Sequence, residues 1–347
     1  MVFVHIRPDW WLPDGAATEE SVYLNRRQIL ARLGLGIGGL SLLGLGACET
    51  DLEASGLQDR GKEGGQEPAS QPASEPAAGE DGPSAFAPGT PMKAPRNDKV
   101  PDPRRAITPE KLATHYNNFY EFSLDKERVW KLVDRFKTEP WSVEIDGLVE
   151  KPGTYTIEDL EKLVPPEERV YRFRCVEAWA MTVPWAGLPL AALLTKLGVK
   201  AEARYLAFKT FLRPEQAPNQ NPASGYPWPY YEALSVAEAR NELAMLATGI
   251  YGKRLPKQNG APIRLVVPWK YGLKNIKSIV KISFVKERPP TFWNAIAPDE
   301  YSWASNVEPD VPHPRWSQAK ERLLDDGRKV PTLPFNGYAE QVAALYR

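Results

Sequence analysis

The 347-residue sequence predicts an α+β domain built on a mixed sheet, preceded by residues of a different character up to position 98. Three observations carry this fold class. Apolar residues alternate with period two in five irregularly spaced stretches, helix-opening capping boxes fall between some of them, and the regular strand–helix alternation of a doubly wound sheet is missing. Beyond residue 100 there is no internal repeat and no linker, so one domain is expected.

Taken in order, residues 1–47 read as a twin-arginine export signal. Asn25-Arg26-Arg27-Gln28-Ile29-Leu30 precedes a charge-free run from Leu33 to Ala47 that is rich in Leu and Gly. At fifteen residues that run is short for a membrane span, and it has no polar face to make it an amphipathic core helix. The run closes on Leu45-Gly46-Ala47-Cys48, which is similar to a lipobox and suggests that Cys48 is acylated. Cleavage near Ala47 with Cys48 incidental is the alternative. Twin-arginine export carries folded proteins, commonly with a cofactor already loaded, so the signal raises the expectation of one.

Residues 48–98 read as an acidic, disordered tether. From Glu49 to Asp98 there is no Val, Ile, Tyr or Trp, and small residues alternate with Pro, as in Glu67-Pro68-Ala69-Ser70. Such a segment buries too little apolar surface to offset its ordering entropy. The domain proper is expected over 99–347, with strands near 141–149 (Trp141, Val143, Ile145), 169–174, 204–211, 263–267 and 276–285. Thr156-Ile157-Glu158-Asp159 and Ser235-Val236-Ala237-Glu238 are capping boxes, and Leu188 to Leu197 reads as a third helix.

Charge and composition exclude several function classes. Forty-four basic and 44 acidic side chains cancel, and mean hydropathy is −0.44, which argues against a nucleic-acid-coating or polytopic membrane protein. Residues 99–347 alone carry +6, and the stretch 264–288 supplies that whole excess, with seven bases against Glu287. Three His and two Cys at unrelated spacings leave no zinc motif.

Cys175, in Arg172-Phe173-Arg174-Cys175-Val176-Glu177-Ala178-Trp179, is the one cysteine of the predicted domain. An unpaired cysteine there is inert core, a reactive thiol or a metal ligand. As a metal ligand it would need further ligands from a prosthetic group. An anionic, phosphate-bearing cofactor would also account for the basic stretch, where Lys274 and Lys277 follow Tyr271-Gly272 in a turn.

Several long strings carry a family resemblance: Tyr116-Asn117-Asn118-Phe119-Tyr120-Glu121-Phe122, Arg174-Cys175-Val176-Glu177-Ala178-Trp179, the stretch from Gln258 to Gly272, and Phe335-Asn336-Gly337-Tyr338. From about residue 113 onward the chain resembles the molybdenum catalytic subunits of bacterial periplasmic protein-methionine-sulfoxide reductases, which have a sulfite-oxidase-like molybdopterin-binding fold. The resemblance implies that Cys175 ligates molybdenum, one per chain. It places molybdopterin contacts on Asn117, Tyr120, Glu121, Thr210, Asn259, Arg264 and the turn Asn275-Ile276-Lys277. Asn275 departs from the smaller residue expected of the family, which a backbone contact or a positive φ would tolerate.

The implied reaction takes oxygen from a sulfoxide to reduced molybdenum, with Glu177 and Asn118 as candidates to orient or protonate it. The implied partners are a haem-containing, quinol-linked membrane subunit as electron donor and oxidised periplasmic proteins as substrates. No nucleic acid is expected, and the catalytic domain is expected to be monomeric. The implied location is the periplasm, with a membrane tether through lipidated Cys48. Aromatics such as Trp179, Trp228, Tyr230 and Trp269 are candidates to line an open mouth. Three alternatives stay open: oxidation of a small anion such as sulfite, a Cys175 nucleophile served by His115 or His313, and a cofactor-free binding module.

Overall fold

The computed structural model describes residues 84–347, so the expected export signal, Cys48 and most of the tether lie outside the described residues. Along the chain come α1 (Glu110–His115), α2 (Val129–Leu132), β1 (Ser142–Gly147), β2 (Gly153–Thr156), α3 (Ile157–Leu163), β3 (Glu167–Arg174) and β4 (Trp179–Pro189). Then follow α4 (Leu190–Leu197), β5 (Tyr205–Thr210), β6 (Tyr231–Ser235), α5 (Val236–Ala239), β7 (Met245–Ile250), β8 (Lys253–Arg254) and β9 (Arg264–Val266). The chain ends with β10 (Ile279–Val285), α6 (Phe292–Ile296), β11 (Lys320–Leu323), β12 (Lys329–Pro331) and α7 (Ala339–Val342).

Two mixed sheets result. The first has the order β2-β1-β10-β5-β6, with β1 and β10 parallel and the other neighbours antiparallel. The second runs β12-β11-β4-β7-β8, with β3 also on β4 and β9 also on β7. All five expected strands are present, and both capping boxes form: Thr156 accepts from Asp159 N and Ser235 from Glu238 N, each at 3.1 Å. The helix expected from Leu188 begins instead at Leu190, because Leu188 and Pro189 complete β4 opposite Leu246 and Met245.

Strand β4 is buried along almost its whole length and β7 along all of it, so neither shows the alternation that marks a half-exposed strand. They approach closely at a register shift beside Gly187, where any Cβ would run into the backbone of Leu246 and Ala247. Trp185 and Leu188 of β4, Leu246 of β7 and Leu193 of α4 are all fully buried. Removing one of them would cost about 2–5 kcal/mol through lost burial and the cavity left behind.

The packed chain starts earlier than its composition suggests. Residues 84–98, assigned to the tether, lie along the domain: Met92 N donates to Gly252 O at 2.8 Å and Asn97 N to Glu168 O at 2.8 Å. Phe86 lies beneath the Arg254 guanidinium and Met92 is buried. Two apolar side chains in a polar segment suffice when each meets a preformed slot.

The hairpin of β3 and β4 positions the site. Its turn is closed by Cys175 N to Trp179 O at 2.9 Å and Ala178 N to Cys175 O at 3.1 Å. Ala178 takes φ +62°, a left-handed conformation that a side chain disfavours, so the turn is held from outside. Trp316 Nε1 and Gln318 Nε2 both donate to Val176 O at 2.8 Å, and buried Arg174 pairs with Glu321 at 3.1 Å while its guanidinium also donates to Cys175 O. The Phe335-Asn336-Gly337-Tyr338 string is a second clasp. Asn336, at φ +57°, donates to Pro268 O at 2.8 Å, and Tyr338 OH accepts from Arg172 N at 3.0 Å.

Candidate active site

Four segments meet around Cys175: residues 116–121 after α1, the β3–β4 turn, Asn259 with Arg264, and the turn 272–277. The cleft between them is lined by Asn117, Asn118, Tyr120, Glu121, Cys175, Glu177, Asn259, Arg264, Asn275, Ile276 and Lys277. Of the expected cofactor residues only Thr210 stands back. It is buried, and its hydroxyl donates to Ser278 O at 2.9 Å, so it supports the turn from beneath.

The polar end of the cleft is built to hold something. Asn117 and Asn259 both donate their amides to Ala113 O at 3.1 Å, which leaves both Oδ1 atoms without a hydrogen bond among the described residues, as is Asn118 Oδ1. Asn219 fixes the neighbouring segment by donating to Tyr120 O at 2.6 Å and, through its backbone, to Glu121 O at 3.0 Å. Arg264 is buried and, among the described residues, bonds only to carbonyls, of Asn259 (2.8 Å), Asn275 (3.2 Å) and Leu265 (3.4 Å). Without a carboxylate beside it, burial lowers its guanidinium to about 9. Lys277, whose Nζ donates to Asn118 O at 2.5 Å, is lowered to about 7 by burial and by Arg264, with Glu121 opposing.

Glu121 itself is raised to about 7 by burial, against the pull of Lys277. Gly260, at φ +97°, lets this group form, since a Cβ there would meet the Lys277 stem at 2.7 Å.

The turn at 275–277 departs from expectation in one respect. Asn275 has φ −89°, and its side chain is structural: Oδ1 accepts from Val267 N at 2.7 Å and Nδ2 donates to Tyr271 O at 3.3 Å. Positive φ falls instead at Ser278, at +48°. Among the described residues no hydrogen bond engages the N–H groups of Ile276 and Lys277. Three further lysines of the basic stretch are neutralised in place, by Lys270–Glu238 at 2.5 Å, Lys274–Glu232 at 2.6 Å and Lys281 with Glu144 and Asp146.

At the open end stand Cys175 and Glu177. Asn118 Nδ2 lies 3.2 Å from Cys175 Sγ and 3.3 Å from Glu177 Oε2. Glu177 pairs with Lys126 at 2.8 Å, not with Arg172 or Arg174, and also accepts from Tyr120 OH and Trp179 Nε1 at 3.2 Å each. Burial alone would lower Lys126, but the Glu177 carboxylate outweighs it and the ammonium is raised. Lys126 had no signal in the sequence, where it sits in an ordinary charged loop, Asp125 to Arg128. Burial, and then Glu177, push the Cys175 thiol well above its ordinary range.

A thiol so raised is a poor nucleophile on its own, and neither histidine lines the cleft. His115 packs against Trp130 with the rings tilted by 50°, and His313 lies flat on Trp316 at 3.7 Å. Among the described residues no group of three His, Cys, Asp or Glu could hold a metal, so a metal at Cys175 needs ligands from a prosthetic group. Molybdopterin fits: its phosphate would answer Arg264 and Lys277, its pterin N–H groups would answer the free amide oxygens, and its dithiolene would supply the ligands that Cys175 lacks. Of the expected aromatics, Trp179 and Tyr230 line the cleft, while Trp269 is core and Trp228 packs on Phe292. Tyr116, Trp293 and Tyr301 also line it.

Comparison with known proteins places the chain in a family. Residues 130–293 match the family model for the oxidoreductase molybdopterin binding domain. The chain is 46% identical over 334 residues to the protein-methionine-sulfoxide reductase catalytic subunit MsrP of Pseudomonas syringae pv. tomato, covering 95% of this chain and 93% of that protein. The sulfane dehydrogenase SoxCD from Paracoccus pantotrophus aligns with 22% identity and a TM-score of 0.37, over 44% of this chain and 40% of its own. The extent and identity of the MsrP match show that this chain belongs to the family of protein-methionine-sulfoxide reductase catalytic subunits, oxidoreductases with a molybdopterin-binding domain.

Proposed function

We propose that this protein reduces methionine sulfoxide in exported proteins, with one molybdenum–molybdopterin per chain and electrons from a haem-bearing, quinol-linked membrane subunit. When bound, the group supplies a Lewis-acidic two-electron centre that accepts the sulfoxide oxygen. Cys175 would hold the metal. Arg264, Lys277 and the N–H groups of Ile276 and Lys277 would hold the phosphate, and Asn117, Tyr120, Glu121 and Asn259 the pterin.

Reduction of a sulfoxide to a sulfide and water consumes two electrons and two protons. Glu177 and Asn118 stand where the oxygen must be oriented, and the four donors on Glu177 keep its carboxylate in one place. Lys126 behind it is the nearest group able to hold a proton at that carboxylate. Export by the twin-arginine route and lipidation of Cys48 would keep the domain close to a membrane-bound electron donor, with the tether providing reach.

The observation that carries this reading is the buried Arg264, which has no carboxylate partner among the described residues and lies in the same cleft as Cys175. The direct test supplies electrons from a reduced viologen dye to the purified holoenzyme. Turnover of a methionine-sulfoxide peptide is expected. Sulfite oxidation without sulfoxide reduction would replace this reading with the small-anion one.

A further inference from the structure

The polar end of the cleft and its open end differ in character. Beside Cys175 and Glu177 the walls are aromatic. Tyr116 and Trp179 meet edge to face, with centroids 5.2 Å apart and planes at 84°. Tyr120 and Trp293 do the same at 5.1 Å and 73°. All four line the cleft that holds Cys175.

The Glu177 carboxylate joins the two pairs. Its Oε1 accepts from Tyr120 OH and its Oε2 from Trp179 Nε1, so one side chain sets both walls. Trp293 is backed in turn by Tyr301, with centroids 5.2 Å apart, and by Phe292 at 5.6 Å. Tyr116 is braced from outside by Arg322, whose guanidinium lies 5.9 Å from the ring centroid and 3.4 Å from the hydroxyl. Rings fixed in this way present π faces and edges to whatever enters beside Glu177.

Resting on the sulfoxide-reductase reading above, we propose that these two aromatic pairs form a recognition slot for the S-methyl end of an alkyl methyl sulfoxide. The sulfur of a sulfoxide is electron-poor and polarises the hydrogens of its methyl group, so both are attracted to the negative face of an aromatic ring. The oxygen then points away from the rings, toward Cys175, which would hold the metal, and the Asn118 amide beside it. A small oxyanion such as sulfite has no methyl group to place there and gains nothing from the slot. Tyr116 and Trp293 are thus specificity-determining residues that act on the substrate's alkyl end.

Ligand-observed saturation-transfer NMR on the oxidised holoenzyme, which has no electrons with which to turn over, tests this without an activity assay. The probes are N-acetyl-methionine-sulfoxide methylamide and its norleucine counterpart, and each variant is first checked for molybdenum content equal to wild type. Saturation of protein aromatic protons should reach the S-methyl group most strongly. Tyr116→Leu should weaken sulfoxide binding about three- to tenfold, while Tyr116→Phe stays within about twofold. Equal affinity in wild type and Tyr116→Leu overturns the slot alone. Equal loss in the Leu and Phe variants also overturns it, because the hydroxyl and Arg322 would then carry the effect. A wild type that does not prefer the sulfoxide over norleucine overturns both the slot and the reading on which it rests.

Discussion

Lys126 Nζ lies 2.8 Å from Glu177 Oε2, in an ion pair that is largely withdrawn from solvent. Glu177 in turn touches Asn118, Tyr120 and Trp179, so the loop carrying Lys126 is tied to every wall of the open end. Lys126→Met should therefore lower sulfoxide turnover by about tenfold or more, the effect of losing a charge-assisted hydrogen bond. Lys126→Arg should recover much of it. The check is dye-driven kinetics at matched molybdenum content, and unchanged turnover in the Met variant would show that Glu177 does not depend on this pair.

Arg264 is the residue most exposed to loss of the cofactor, because among the described residues no carboxylate pairs with it. In Arg264→Gln, retention of the group should fall by about tenfold or more at limiting supply. The gap in thermal stability between loaded and cofactor-free protein should shrink with it. Differential scanning calorimetry on the two forms reads this gap, and an undiminished gap would remove Arg264 from phosphate binding.

His313, which does not itself line the cleft, predicts a pH effect on stability. Burial, and then Arg315, lower its imidazole to about 3, while the unfolded chain protonates it near 6.5. The unfolded state therefore binds the proton first. The stabilising effect is complete above about pH 6.5 and is lost as the pH falls toward 3. The loss should be on the order of 3 kcal/mol, reduced because Glu300, 3.6 Å from Nε2, can partly support the charge despite its pairing with Arg315. Urea unfolding from pH 7 to pH 4 should show a shallower decline in His313→Gln than in wild type. Parallel declines would mean that the imidazole titrates normally.

How much of this was legible in the sequence depended on how each residue's role is encoded. Strands β1, β3, β5, β9 and β10 announced themselves by alternation or apolar runs, and the helices at Thr156 and Ser235 by local capping chemistry. Strands β4 and β7 did not, because burial on both faces erases alternation. In the site, Cys175, Asn117 and Arg264 fall within long family-specific strings, and the structure brings them to one cleft with Lys277. Lys126 and Trp293 lie in unremarkable sequence, and only tertiary folding carries them to Glu177 and Tyr120. The basic stretch was legible as an excess of charge, but most of its lysines were already paired with Glu232, Glu238, Glu144 and Asp146, acids distant in sequence.

The central claim is that Cys175 holds a molybdenum brought by molybdopterin. It is tested most directly by elemental mass spectrometry on protein folded in a host that makes the cofactor, with Cys175→Ala alongside. About one molybdenum per chain in the wild type and far less in the variant is the predicted result. No molybdenum in either, from a host shown to load a known molybdoenzyme, would contradict it.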